Sequence, residues 1–290
     1  MEVFDRAVAK GMMTIKAATG CLLSLRRQQQ NAAKSGGSST TPSTEDSGAA
    51  LRVLQWLRSS GSERELEFLD EQRFTNVIVS FMVAEGFEPV AWGWLERLMT
   101  GDAMSTSHQL RTRRFKHLLL QLVAAKSQRA PNLNEAYTAL LRAEDTFRNE
   151  ADFTYKLYQP WMLLSRMSTA VRQKPERPSG ALFDMFVEKG HELNEPVGFE
   201  LAHLDLHHPS HPDHARAVEY FHDESTWRRC LQSPDDTSRH VSPERQLNMG
   251  LEAAKRLNIL GEDYEARWLL QLLQSNFGSL LKPAAVPTPG

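Results

Sequence analysis

Cysteine is scarce in this chain: Cys21 and Cys230 are the two in 290 residues, far apart in sequence. That excludes a disulfide-built secreted scaffold and fits reduced thiols in a reducing compartment. Long apolar runs are missing too. The best, Val77 to Ala84, is eight residues long and contains Ser80. A bilayer span needs roughly 18, so this run reads as a buried helix segment and no transmembrane segment is expected. Net charge is almost absent, with Lys+Arg 34 against Asp+Glu 36 giving −2. Bulk charge therefore does not favour a nucleic-acid binder. Hydrophobic residues at 41% and charged residues at 24% exclude a collagen-like, wholly disordered or polytopic membrane protein. Local catalytic signatures are missing as well. There is no Walker A loop, Gly-x-Gly-x-x-Gly, His-Glu-x-x-His, Gly-x-Ser-x-Gly or Cys-x-x-Cys. No cofactor and no small-molecule substrate is signalled, and a non-enzymatic role is expected.

Acid is locally absent in two places. Arg6 to Thr44 holds no Asp or Glu but carries Arg6, Lys10, Lys16, Arg26, Arg27 and Lys34. At the chain-average frequency these 39 residues should hold about five acids. Residues 1–30 also place Val3, Phe4, Val8, Met12, Ile15, Leu22 and Leu23 in a helical pattern. Residues 31–50 are rich in Ser, Thr, Gly and Ala without apolar periodicity, a flexible linker composition. An amphipathic, basic, acid-poor and Ser-rich start is the composition of an organellar transit peptide. The same pattern suits a basic helix that docks peripherally on a membrane or a partner. Residues 1–44 carry net +4, which leaves residues 45–290 at −6. The second acid-free zone, Ala103–Asn134, contains Arg111, Arg113, Arg114, Lys116, Lys126 and Arg129 with His108 and His117.

From residue 51 to 281 apolar residues recur at spacings of three and four, the helical period, and no strand hairpin is signalled. Helices are expected over 50–58, 63–70, 73–85, a segment carrying Trp92, Leu95, Leu98 and Met99, then 107–126, 133–148, 152–172, 181–193, 197–206, 212–221, 243–257 and 263–281. Ser62 is the expected cap of the second of these, Gly86 and Gly101 are helix stops, and Pro89 sits in a first turn. Residues 282–290, with Pro283, Pro287 and Pro289, form an expected disordered tail. All six tryptophans fall within helical patterns and core packing is expected for them; Trp92 and Trp94 lie two apart on one helix, so the alternative is that one of them is a partly exposed contact residue.

Helix pairs begin near Glu65, Ser107, Ala151, Glu195 and Ser242, at intervals of 42, 44, 44 and 47 residues. Such a period fits helical hairpins that stack to bury their apolar faces. An all-helical globule without repeats would give similar intervals. The stretch Phe74 to Gly86, followed by Ala91, Leu95 and Gly101, resembles a pentatricopeptide or tetratricopeptide unit. Asn76 and Gly86 have the Asn-to-turn-Gly spacing of the pentatricopeptide pattern, and Ala91 and Leu95 fall at its small and large packing positions. Gly101 comes one residue early, and Glu88-Pro89 departs from the pattern at the turn. Ser242–Gly278, turning at Gly261-Glu262-Asp263, is a second hairpin. Together these cover about a quarter of the chain. The resemblance implies an all-α, irregular solenoid of stacked hairpins over 51–281 and raises an organellar RNA or assembly role.

Arg111, Arg113, Arg114 and Lys116 form the main ligand candidate. On one helix Arg111 and Arg114 share a face, with Arg113 and Lys116 beside it. Such a cluster neutralises phosphates and gives salt-dependent binding. It equally suits a solvated face, an acidic partner, or the acidic neighbour Glu63–Glu71. Five of ten histidines fall within His203 to His214. His203 and His207, at i,i+4, have a spacing that suits zinc. His208, His211, Asp213 and His214 resemble the His-x-His-x-Asp-His run of metallo-β-lactamase-like hydrolases. They are one residue out of its spacing and lack its preceding strand. Pro209 and Pro212 mark the same stretch as an interhelix loop. The leading expectation is a scaffold of the mitochondrial matrix that binds RNA or a subunit of an organellar complex, without metal or cofactor. A protein–protein adaptor and a metal-dependent hydrolase built on the histidine run are the alternatives.

Overall fold

The three- and four-residue spacing folds into helices throughout. The computed structural model describes residues 1–34, 47–101, 106–150, 153–170, 175–194, 196–232 and 241–281, and among them there is no strand. Most of the expected linker and the whole of the expected tail lie outside the described residues. The helices divide into two compact units, Met1–Leu164 with Lys174–Glu176 and Ser165–Gln173 with Arg177–Gly290.

In unit 1 the N-terminal segment is two helices, α1 (Glu2–Ala9) and α2 (Ile15–Lys34), not one. Gly11, at φ 66°, turns the chain between them. The segment belongs to the unit. Phe4 is 2% exposed and meets Trp56 edge to face at 6.0 Å, while Arg52 pairs with Asp5 at 2.8 Å. Ala18 and Leu22 are fully buried, and α2 packs on α4 (Gln72–Ala84). After α3 (Ala49–Ser59), the helix expected over 63–70 is only the 3-10 turn Glu67–Asp70. Leu66 enters that turn buried and with positive φ. Glu63, expected to start a helix, instead accepts from the indole of Trp94 at 2.7 Å.

α4 is buried at Val77, Ile78, Val79, Phe81, Met82 and Val83, so the longest apolar run is indeed core. It turns through Gly86 into α5 (Glu88–Thr100), and α6 (His108–Arg129) packs on both helices. Both tryptophans of α5 are core, as expected, and neither is the exposed contact residue of the alternative: Trp92 is 2% and Trp94 1% accessible. The reason is cover on two sides. Trp94 contacts Phe68, and the guanidinium of Arg142 lies 4.2 Å over Trp92. Arg142 belongs to α7 (Asn134–Phe147), which precedes α8 (Phe153–Ser168) with Pro160 inside it.

Unit 2 holds α9 (Gly180–His191), α10 (Gly198–Leu206), α11 (Ala215–His222), α12 (Glu224–Gln232), α13 (Pro243–Leu260) and α14 (Asp263–Leu281). Ser242 caps α13 by accepting from the Arg245 amide, and Gly261 ends it at φ 80°. Small residues Gly250, Ala253 and Ala254 on α13 face Leu269, Leu273 and Phe277 of α14 within one core. A Cβ at Gly250 would come within 2.7 Å of the Leu273 side chain, so glycine sets how closely these helices approach. α12 has no counterpart among the expected helices. It is anchored by Trp227, fully buried, whose indole donates to the Phe221 carbonyl at 3.0 Å.

Candidate functional site

The four basic residues named from the sequence do lie together near the start of α6, but they do different things. Ser107 caps this helix by accepting from the Leu110 amide. Arg114, nearly two turns in, is 3% exposed and pairs with Asp70 at 2.6 Å. Its other nitrogen donates to the Glu65 carbonyl at 2.9 Å. Arg113 reaches the same carboxylate at 2.9 Å and is 66% exposed. Hydrogen bonding from Arg114 is the chief reason that the Asp70 carboxyl sits below the usual carboxylate range. Arg111 turns back to the Thr106 carbonyl and lies against Gly101, where a Cβ would come within 2.8 Å of its guanidinium carbon. Lys116 places its ammonium 3.8 Å over the ring of Tyr155. Thus the acidic segment named as one partner of this cluster supplies Asp70, and Arg114 serves the fold.

What remains on the surface is a groove of about 760 Å³ between α6 and α8. Among the described residues its lining includes His108, Arg113, Lys116, His117, Tyr155 and Gln159, and no carboxylate. Tyr155 is 53% exposed, so a ring with a cation on it borders the opening. Burial lowers the pKa of His117, partly offset by its hydrogen bond to the Gln72 backbone, which favours the neutral imidazole.

In unit 2 the histidine run does not assemble as the hydrolase-like motif. His208 is held by both ring nitrogens: Nδ1 accepts from the Ser210 and His211 amides, and Nε2 donates to Asp184 at 2.8 Å. Asp213 instead accepts from the Ala215 amide ahead of α11, and His214 faces Glu262 at 3.5 Å. Asp213 and His214 are thus turned to other partners and do not join His208 and His211 at one point.

His203 and His207 do converge. One turn apart at the end of α10, they direct Nε2 atoms at a single oxygen of Glu252 on α13, at 2.8 and 2.9 Å. Burial alone would raise the Glu252 pKa, but the hydrogen bonds from His203 and His207 reverse this and lower it to about 2. Burial keeps the His203 pKa below its ordinary value, the Glu252 contact opposing it. The arrangement is therefore a carboxylate oxygen accepting an N–H group from each of two imidazole rings. The i,i+4 spacing announced the histidines. Nothing local announced Glu252, 45 residues beyond His207.

The chain matches no family model, no curated protein and no solved structure. Among the described residues no helix is long and apolar enough to cross a membrane.

Proposed function

We propose that this chain is a non-enzymatic, helical-repeat scaffold of the mitochondrial matrix, and that it holds single-stranded RNA along the α6–α8 groove of unit 1. The observation that carries the reading is the groove itself: basic and aromatic side chains, with no carboxylate among the described residues of the lining. Lysine and arginine neutralise phosphates and release counterions, and an exposed ring offers a base a stacking platform without demanding a sequence. Support for repeats is the α4–α5 hairpin with α6 packed on it, and the α13–α14 hairpin in unit 2. Support for import is the acid-free N-terminal stretch. Because Phe4 and Leu22 belong to the unit 1 core, the segment is retained after import. A diffuse cytosolic signal from residues 1–50 fused to a fluorescent protein would overturn the localisation.

The groove is tested with Arg113→Gln, Lys116→Gln and Tyr155→Ala combined, measured by fluorescence anisotropy on single-stranded RNA across a salt series. Arg114 is left intact because its burial makes it a folding residue. Removing two phosphate-facing cations should weaken binding and reduce the log–log salt slope by about 1.4. Unchanged affinity and slope would remove the groove from the proposal. No RNA binding by the unaltered chain would remove RNA altogether and leave the adaptor reading.

A further inference from the structure

Outside the RNA groove, the most chemically specific cluster is the one at the end of α10. We propose that His203, His207 and Glu252 form an exchangeable zinc site within unit 2, with its fourth position open to water. Two imidazole nitrogens and one carboxylate oxygen are a zinc donor set, and nitrogen donors disfavour magnesium and calcium. The three ligand atoms lie within 4.8 Å of one another. A tetrahedral zinc at about 2.0–2.2 Å from each would set them roughly 3.3 Å apart. From the present 2.8 and 2.9 Å contacts, each nitrogen–oxygen separation would lengthen by about 0.5 Å. The side chains of His203 and His207 are 4% and 11% exposed, so packing orients them, while Glu252 is 33% exposed and opens the site to solvent.

A second observation sets the character of the site. His203 Nδ1 is buried and has no hydrogen-bond partner. With the metal absent, Nε2 carries the hydrogen and Nδ1 is a bare lone pair. On loading, zinc takes the Nε2 lone pair and the ring hydrogen moves to Nδ1. The His203 Nδ1–H then lacks the outer acceptor that most metal-bound histidines use, and such partners are worth about 10–100-fold in affinity. That shortfall makes the ion exchangeable rather than permanent. The neighbouring Asp184, His208 and His211 also lie close enough to share an ion. Both His208 nitrogens are committed there, so that cluster serves as the control.

The test is isothermal titration of the full-length, chelator-treated chain with zinc chloride, with zinc content after dialysis and the melting temperature measured in parallel. The expected result is one zinc per chain and a melting temperature that rises with zinc and falls again on chelation. Glu252→Gln and His207→Ala, both at partly exposed positions, should each weaken binding by about 10-fold or more. Asp184→Asn with His211→Ala should leave it unchanged. Circular dichroism confirms that each variant is folded. Should Glu252→Gln not fold, His207→Gln is the substitute and carries the same expectation. No zinc retained by the unaltered chain, undiminished binding in the Glu252 and His207 variants, or loss of binding in the control variant would each overturn the assignment.

Discussion

Asp70 in unit 1 and Glu252 in unit 2 hold parallel positions in their units. Each is a carboxylate that gathers two basic side chains from a segment more than 40 residues away. Their basic partners make them different devices. A guanidinium keeps its protons at any accessible pH, so Arg113 and Arg114 tie Asp70 to the start of α6 as a permanent ion pair. An imidazole can shift its hydrogen from one nitrogen to the other, so His203 and His207 offer lone pairs that a metal can take. Burial reinforces the contrast: the unit 1 pair encloses a buried cation, whereas burial in unit 2 favours the neutral form of the His203 ring.

The largest way to break this comparison is Asp70→Asn, which leaves the buried Arg114 cation without its counterion. Removing one partner of a fully buried pair costs about 3–5 kcal/mol. Asp70 is itself 34% exposed, so roughly 2–3 kcal/mol is expected here, read by chemical denaturation with a unit 1 probe such as Trp94. Arg114→Lys keeps the charge but loses the forked contact and the Glu65 carbonyl bond. It should cost about 1–2 kcal/mol in the same assay. Glu252→Gln in metal-free buffer should cost less, about 1 kcal/mol, because an amide oxygen still accepts from an imidazole N–H. If it cost more than Asp70→Asn, the contrast between fixed and exchangeable partners would fail. Arg113→Gln, at an exposed position, should change stability by less than about 0.5 kcal/mol.

Acid sharpens the same comparison. The folded Asp70 carboxyl titrates below its unfolded value because Arg114 and Arg113 favour the anion. Its contribution is therefore complete above about pH 4, the unfolded carboxyl value, and is lost as pH falls from there through the folded value. The stability difference between the unaltered chain and Asp70→Asn should shrink over that window when unfolding is followed from pH 6 to pH 2.5. A constant difference would show that the Asn variant fails for reasons other than charge.

Much of the fold was legible because helices write themselves locally. The helical period over 243–257 marked α13, and Gly86, Gly101 and Gly261 marked stops that the backbone reaches with positive φ. Ser107 and Ser242 cap as their type suggests. Ser62 looked like a cap too, yet Glu63 was drawn to Trp94, and the chain formed a 3-10 turn instead of a helix. α12 was illegible since Trp227 is its main apolar anchor, too little for a periodic signal. The candidate site was half legible. Spacing exposed Arg111 to Lys116 and His203 with His207, but which of them would be consumed by the fold could not be read from spacing.

By itself, the sequence determined that this is an all-helical chain with an acid-free, basic start and an acid-free α6, because helical period and local charge are properties of neighbouring residues. Only the tertiary structure decided that Phe4 and Leu22 are core, that Arg114 is buried against Asp70, and that two histidines share Glu252. Those outcomes depend on which helix faces pack together. Packing energies are summed over residues far apart in sequence, and no local pattern records which distant carboxylate a buried base will meet.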